Sequence, residues 1–441
     1  MTRISHYIVS VLMHTAMAAM LWLPATAAGQ TAADVCVEPL AADSVAAPDT
    51  IATPRPPVDL PEPAVVGIVV RDLATGEDIA ARNADTPMTP ASIMKCITSA
   101  CALLDGKAEM RFVTSAFTRG AISERQLWGD LVIMASGDPT TESSIFPVNA
   151  GFADSVASHV AALGIDSIRG QIVFDTSIVP GGGPSSHWLA EDYKWRYGAG
   201  HYALNYKDNT LPPDRAMPDP PSYFYDALCR SLDEGNIAVL DEDIDVTGSS
   251  REIYRRYSPP GKDIMRSMMV RSDNMFAEAM LRSLAPGEDI DGAVAREKQL
   301  LQRLGTDPRD VIINDGSGLA RDNRVSPRFM ADMLQAMART PRAADYIGFF
   351  PKAGEEGTVR KVLKDTPLAG KLVLKSGSVR GVQCYAGYKL GDSGEPTHAV
   401  VIMVNRFTCP RAKVVAEAEK FLSETFLPAT ETVHEPSTTR Q

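Results

Sequence analysis

The chain has few cysteines for its length, six in 441 residues, and it contains no C-x-x-C pair and no histidine cluster. So small a number does not make a disulfide framework, even in an oxidising compartment. The missing C-x-x-C and histidine patterns give no indication of a zinc site. The segment DEDIDVTGSSRE has acidic residues at EF-hand spacing, but Val246 stands where that loop needs glycine, so we interpret it as a solvated acidic loop. No metal site is predicted.

The sequence also lacks a block of consecutive basic residues, and its formal net charge is −11, which argues against nucleic acid as a partner. Long apolar runs are missing after the first thirty residues. Those thirty run from Arg3 through an apolar stretch to Ala25-Thr26-Ala27, an A-x-A cleavage site typical of a secretory signal peptide. A retained membrane anchor is the alternative interpretation, but the apolar stretch is interrupted and short for a span. We expect an exported protein of the periplasm or cell envelope, for which peripheral membrane association stays open.

Changes in composition along the chain predict its organisation. Residues 1–27 form the predicted signal peptide, residues 28–63 a Pro- and Ala-rich linker, and residues 428–441 a disordered polar tail. Two predicted strands near residue 65, a helical middle and three predicted strands after residue 371 fit one antiparallel sheet assembled from both ends of the chain. We therefore predict a main domain from residues 64–106 and 255–427. The mixed strands, helices and Gly/Pro-rich loops of residues 107–254 indicate an inserted α/β domain.

The segment TPASIMKCITSA predicts a helix that carries Ser92 and Lys95 one turn apart. Thr89 is a suitable N-cap and Pro90 suits the first helical position. A serine in the first turn lies where backbone N–H groups are unpaired, and a lysine three residues later can contact it. Such a lysine acts as a base only if its pKa is lowered. About one S-x-x-K is expected by chance in a chain this long, so the pair needs further support.

Two later segments supply that support. In Ser272-Asp273-Asn274, the hydroxyl and the carboxamide project to one side and could relay a proton and bind an amide, although Asp and Asn are also natural helix starters. The segment KLVLKSGSV places Lys375 at the end of an apolar strand. Burying a positive charge there costs free energy, so the lysine is expected to have a function. Gly377 has no side chain, so another element could approach the strand closely at this position. A solvated lysine before a turn is the alternative for this segment.

The three motifs S-x-x-K, S-D-N and K-S-G, in this order, resemble the set found in penicillin-binding proteins and class A β-lactamases. The sequence resembles the D-Ala-D-Ala carboxypeptidase/endopeptidase family of class C low-molecular-mass penicillin-binding proteins, peptidase family S13. Segments such as ALNYKDNTL, INDGSGLARDNRVSP and GVQCYAGYKL also look like that family, over roughly residues 65–427. The resemblance implies an α+β fold of the β-lactamase/penicillin-binding-protein type: a five-stranded antiparallel sheet flanked by helices, with an inserted α/β domain. Here K-S-G replaces the more usual K-T-G, and the insert looks shorter than in larger members.

The resemblance also implies roles for the catalytic residues. Ser92 would attack the carbonyl of a D-Ala-D-Ala peptide bond and form an acyl-enzyme that water then hydrolyses. Lys95 would take the serine proton, and like-charge repulsion from Lys375 would help to keep Lys95 neutral. Ser272 would relay a proton toward the leaving amine.

The remaining implied roles concern substrate binding. Asn274 would bind the substrate amide, and the backbone N–H groups of Ser92 and Ser378 would form an oxyanion hole. Lys375 and Ser376 would bind the terminal carboxylate. The predicted substrate-binding residues are thus Asn274, Lys375, Ser376, Gly377 and Ser378.

The implied partners are peptidoglycan stem peptides as substrates and β-lactam antibiotics as covalent inhibitors, with no cofactor. The oligomeric state cannot be predicted. A serine β-lactamase on the same fold is one alternative, but the chain lacks the E-x-x-x-N of class A enzymes and the Y-x-N of class C enzymes. A non-catalytic peptidoglycan-binding protein is the other alternative, although the reactive side chains are all present.

Overall fold

A computed structural model describes residues 58–427. The predicted signal peptide, most of the predicted linker and the predicted tail lie outside these residues. The strands are β1 Val65–Asp72, β2 Asp78–Arg82, β3 Val113–Ser123, β4 Gln126–Met134, β5 Ser167–Ile168, β6 Ile172–Asp175, β7 Thr210–Leu211, β8 Arg215–Ala216, β9 Ala238–Val239, β10 Ser250–Tyr257, β11 Leu372–Val379, β12 Val382–Leu390 and β13 Pro396–Asn405. The helices are α1 Met94–Leu104, α2 Phe152–Ala162, α3 Pro220–Glu234, α4 Gly261–Arg271, α5 Asn274–Arg282, α6 Ile290–Arg303, α7 Pro327–Ala338, α8 Ala343–Gly348 and α9 Arg411–Phe426.

The first sheet has five antiparallel strands in the order β11-β12-β13-β1-β2. The strands nearest the two ends of the described chain meet at its centre, where Val65 of β1 lies opposite Asn405 of β13. Strand β2 follows β1 directly, and β11 and β12 directly precede β13, so only the long segment between β2 and β11 folds outside this sheet. The predicted sheet, built from both ends of the chain, is therefore confirmed.

Both faces of this sheet are covered by helices. In β1, Ile68 and Val70 belong to a core that also contains Val414 and Leu422 of α9, whereas Val69 points into the core formed by α1, α4, α5 and α7. Alternate side chains of a strand face opposite sides, so a strand that is apolar at successive positions needs cover on both faces. The result is a layered α+β arrangement, as predicted.

The second sheet comes from the middle of the chain, in the order β10-β3-β4-β5-β9, with β6 also paired to β4. Its pairs are antiparallel from β10 to β4 and parallel beyond, and α2 and α3 pack on it through a separate apolar core. Strand β10 extends this sheet to Tyr257, past the predicted boundary at residue 254.

Four segments meet at one end of the first sheet: the start of α1, the junction between α4 and α5, strand β11, and the loop of residues 315–323. These segments carry the three motifs. None of the helices within residues 58–427 combines the length and apolarity needed to cross a membrane.

Candidate active site

Ser92 lies in a short 3-10 turn, Ala91–Ile93, that leads directly into α1. The prediction that Thr89 caps this helix was wrong, because no side chain caps the turn and the Thr89 hydroxyl donates to the carbonyl of Arg321 instead. The side chain of Asn405 holds both backbone groups of Thr89: its oxygen accepts the N–H at 2.8 Å, and its amide donates to the carbonyl at 3.1 Å. Strand β13 therefore sets the path of the chain into the Ser92 turn.

Lys95 is fully buried, and its amine contacts three oxygens. Nζ lies 2.7 Å from Oδ1 of Asn274, 2.7 Å from the carbonyl oxygen of Ser317 and 3.2 Å from Oγ of Ser92. The first two oxygens can only accept, so each takes one N–H from the amine. A neutral amine then has its lone pair left for the Ser92 hydroxyl, which can donate to it. The geometry suits a serine with its base.

Burial is the main reason why the pKa of Lys95 is lowered to about 8. The charges of Asp315, Glu278 and Asp273 oppose this change, but they do not reverse it. We predicted that repulsion from Lys375 keeps Lys95 neutral. The repulsion instead acts most clearly on Lys375, whose pKa burial and the Lys95 charge together hold well below its ordinary value.

In the second motif, Ser272-Asp273-Asn274, the middle residue caps a helix and the outer two contribute to the site. The Asp273 side chain accepts the N–H of Phe276 and caps α5, as the alternative interpretation of this motif expected. Its two neighbours face the lysines. Ser272 has a left-handed backbone, with φ of 61°, at the end of α4, and its hydroxyl accepts a bond of 2.8 Å from Lys375 Nζ. Asn274 contacts Lys95 and also donates to the carbonyl of Tyr197 at 2.7 Å.

The third motif lies on β11, the edge strand beside the Ser92 turn. Lys375 is fully buried, and Nζ also donates to the carbonyl of Ser376 at 2.5 Å. A Cβ atom on Gly377 would lie 2.7 Å from the Pro90 carbonyl oxygen and 2.9 Å from the Ser92 nitrogen, closer than real Cβ contacts come. The glycine thus allows the strand to lie against the Ser92 turn, as the sequence analysis expected.

The two serines of this motif differ in position. The Ser376 hydroxyl donates to Oγ1 of the exposed Thr358 at 2.7 Å, whereas the amines of Lys95 and Lys375 bind other partners. Ser378 is exposed near the end of the edge strand. Thr358 was not singled out from the sequence, since it lies eighteen residues before Ser376 without a motif of its own.

The sequence analysis noted the segment that carries Ser317 only as part of the family resemblance and gave its residues no role in the site. The Asp315 carboxylate organises it: Oδ1 accepts from the Gly318 N–H and the Asn323 amide, and Oδ2 accepts from the Ala320 N–H at 2.7 Å. Oδ2 also accepts the indole N–H of Trp188 at 2.8 Å, which ties the loop to the segment between β6 and β7. The available signal was an aspartate directly before Gly-Ser-Gly, a pattern typical of a tight turn held by its own side chain.

Comparisons with known proteins agree on the family. The sequence matches the D-Ala-D-Ala carboxypeptidase 3 (S13) family over residues 58–214 and 203–420. A D-alanyl-D-alanine carboxypeptidase of Actinomadura sp. is 26% identical over 427 residues, covering 77% of this chain and 78% of the relative. The carboxypeptidase DacB of Haemophilus influenzae is 24% identical over 425 residues, covering 79% of this chain and 87% of the relative.

The fold comparison points the same way. The crystal structure of penicillin-binding protein 4 of Haemophilus influenzae aligns with a TM-score of 0.74 at 22% identity, covering 83% of this chain and 97% of that one. This likeness supports the predicted penicillin-binding-protein type of fold. Because the family match spans most of the chain, the protein belongs to the D-Ala-D-Ala carboxypeptidase 3 (S13) family and is a serine-type carboxypeptidase of the penicillin-binding class.

Proposed function

We propose that Ser92 is the nucleophile of a peptidoglycan D-Ala-D-Ala peptidase and that Lys95 is its base. One observation carries this proposal: the Lys95 amine is buried and has two fixed acceptors, which leave its lone pair for the Ser92 hydroxyl. A buried lysine with a lowered pKa and a serine at a helix start are the components of serine acyl transfer.

In the proposed reaction, the Ser92 proton passes to Lys95 while Oγ attacks the carbonyl carbon between the two D-alanines. The C–N bond then breaks, and Ser272 passes its proton to the amine of the leaving D-alanine and takes another from the Lys375 ammonium, which regains a proton when water hydrolyses the ester. The hydrogen bond between Ser272 and Lys375 supports this relay, because it fixes the hydroxyl next to a second proton store. Water hydrolyses the ester, which releases the shortened peptide as a carboxylate and restores the serine hydroxyl.

We assign the binding contacts by position. The backbone N–H groups of Ser92 and Ser378 would stabilise the oxyanion, where one donor typically contributes about 3 to 4 kcal/mol. The close approach of β11 to the Ser92 turn supports this pairing. Asn274 would bind the substrate amide. Lys375 would attract the terminal carboxylate, and Ser376 would reach it from the strand edge together with Thr358, with which it is hydrogen-bonded.

Labelled penicillin tests the nucleophile. We expect the exported, mature protein to form one covalent adduct, mapped by mass spectrometry to Ser92 and lost in Ser92→Ala. Ser99→Ala is the matched control, because Ser99 is buried on the same helix and its hydroxyl lies within hydrogen-bond distance of the carbonyls of Lys95 and Cys96. An unlabelled wild type, or an adduct that persists in Ser92→Ala, would contradict the assignment.

The substrate and the two alternatives need separate assays. Release of D-alanine from a pentapeptide would establish carboxypeptidase activity, and cleavage of cross-linked muropeptides would add endopeptidase activity. A serine β-lactamase would instead turn over penicillin rapidly and leave the pentapeptide intact. A non-catalytic binding protein would retain peptidoglycan with neither reaction.

We further propose export to the cell envelope and an accessory role for the second sheet. The match to a family of cell-wall enzymes supports export, and the separate apolar core of the second sheet supports its treatment as an inserted unit. The intact mass of the protein recovered from the envelope tests cleavage after Ala27. A mass that retains the first 27 residues would favour the membrane-anchor alternative.

A further inference from the structure

Glu278 is a buried carboxylate that lies one helical turn after Asn274 on α5. Its two oxygens accept two successive backbone N–H groups of the neighbouring loop, Gly316 at 3.2 Å and Ser317 at 2.9 Å. A carboxylate that accepts two adjacent backbone donors holds the loop in one orientation. This contact is separate from those of Asp315, which binds the later part of the same loop.

The loop that Glu278 holds provides one of the acceptors of Lys95. The carbonyl oxygen of Ser317 accepts from Lys95 Nζ at 2.7 Å, and Asn274 provides the other strong acceptor at the same distance. Asn274 belongs to α5, and Ser317 is bound to α5 through Glu278. One helix therefore sets both oxygens that leave the lysine lone pair facing Ser92.

The charges around Glu278 come from four elements. Lys95 of α1 and Asp315 of the loop interact with it, as does Arg282, one turn later on α5. Glu297 of α6 is also near, and burial raises the pKa of Glu297 to about 8, so this group is mostly protonated at neutral pH. Burial and the Asp315 charge raise the pKa of Glu278 to about 7. Arg282 acts on Glu278 through its charge, while its guanidinium donates hydrogen bonds to the carbonyls of Pro180 and Gly181.

We propose that Glu278 is a positioning residue for the acylation reaction: it orients the Ser317 carbonyl toward Lys95, and its negative charge strengthens Lys95 as a base. This proposal rests on the proposed role of Lys95. A nearby negative charge stabilises the ammonium that forms when Lys95 takes the Ser92 proton. The same charge makes the Lys95 ammonium harder to deprotonate. The rise of the acylation rate with pH therefore lies at higher pH than it would without Glu278.

The test is the second-order rate constant of acylation by a fluorescent penicillin, measured from pH 5.5 to 9.5. In the wild type we expect the rate to rise with pH and level off above about pH 8, the pKa of Lys95. In Glu278→Gln we expect the midpoint of this rise to move down by about one pH unit. The plateau should fall by less than about tenfold, because a weaker base accepts the proton less readily.

Two variants separate charge from position. Glu288→Gln removes the same charge from the exposed loop between α5 and α6 and should leave both the midpoint and the plateau unchanged. Glu278→Asp keeps the charge, but its side chain is one methylene shorter and cannot reach both N–H groups. We expect Glu278→Asp to keep the wild-type midpoint and to lose plateau rate, with unchanged noncovalent affinity for the penicillin.

Thermal unfolding of each variant identifies damage to the fold. A Glu278→Gln protein that melts earlier but keeps the wild-type midpoint would overturn the proposal, because its role would then be structural alone. If Glu278→Gln does not fold, an unchanged plateau in Glu278→Asp overturns the proposal and a lowered plateau at constant affinity supports it. A wild type that is not acylated at any pH would contradict the proposed function itself.

Discussion

The first-sheet region and the second-sheet region both bury ionisable groups, but the hydrogen-bond partners of these groups differ. Beneath the first sheet, Lys95 and Lys375 are fully buried and hydrogen-bond to neutral oxygens. Beside the second sheet, Asp138 accepts from the N–H and hydroxyl of Thr140, and the His201 ring is bonded to the Gly137 carbonyl at 2.7 Å. The second set joins residues at most 64 positions apart, whereas the lysines also join segments 103 to 222 positions apart.

We interpret this difference as one between groups that would serve the proposed reaction and groups that serve the structure. A buried cation without a bonded carboxylate costs folding free energy, so its retention needs another reason. A buried histidine or asparagine that satisfies backbone groups stabilises the loop around it. Removal of the first kind should reduce activity more than stability, and removal of the second kind should do the reverse.

The largest effect is expected from Lys95→Met, which replaces the buried amine with an apolar side chain of similar length. Loss of the base should lower the rate of penicillin acylation by about 1000-fold, while stability stays equal or rises because a buried charge has gone. Stopped-flow acylation and denaturant unfolding measure the two effects. Lys371→Met, at an exposed position, is the control. A Lys95→Met protein that is much less stable than the wild type would contradict the expectation that groups of the first-sheet region affect activity more than stability.

Gly377→Ala should have the next largest effect. The new methyl group would press against the Pro90 carbonyl and the Ser92 nitrogen, so β11 must move away from the nucleophile. A displacement of about 1 Å can reduce the rate about 100-fold. Gly348→Ala is the matched control, because its Cβ would have no neighbour within 4 Å. Acylation at the wild-type rate in Gly377→Ala would show that the close approach does not matter for the reaction.

In the second-sheet region, Asn209→Ala should lower stability without changing the reaction. Asn209 is buried, has a left-handed backbone and bonds to Tyr206, Gly200 and Asn205. We expect a loss of about 2 to 3 kcal/mol in the free energy of unfolding and near-wild-type acylation of the folded protein.

Asn236→Ala controls for the backbone in that experiment. Asn236 has the same left-handed conformation, with φ of 57°, but is exposed, so its loss should cost only about 1 kcal/mol. An equal loss in both variants would mean that the buried hydrogen bonds of Asn209 contribute nothing.

The smallest effect concerns pH. Burial lowers the pKa of His201 from 6.5 to about 3, so between these values the unfolded chain binds a proton that the folded chain does not. Its contribution therefore destabilises the fold progressively as pH falls below about 6.5. From pH 7 to 5.5 the wild type should lose about 1 kcal/mol more than His201→Gln, measured by urea unfolding at each pH. Glu278, with a raised pKa, acts in the opposite direction between pH 7 and 4.5. Equal losses in wild type and His201→Gln would show that His201 is not buried in neutral form.

The sequence predicted much of the fold because its strongest signals are local. Short apolar segments next to turn residues identified the strands at both ends of the described chain, and Gly377 indicated a close approach that the structure contains. The interpretation of Thr89 was wrong for the same reason: a suitable cap residue was visible, but the competing side chain, Asn405, is 316 positions away. Local sequence preferences cannot reveal a side chain, such as that of Asn405, which a distant strand places next to the helix start.

The sequence by itself determined the three motifs S-x-x-K, S-D-N and K-S-G, their order and the family, since short motifs and their order are local properties of the chain. Only the tertiary structure decided how Lys95 is held. Its two fixed acceptors, Asn274 and Ser317, lie 179 and 222 residues further along the chain. The low pKa of the lysine comes from burial, and burial exists only once α1, α5 and the sheet have packed together. The part that Glu278 has in this arrangement follows from packing for the same reason.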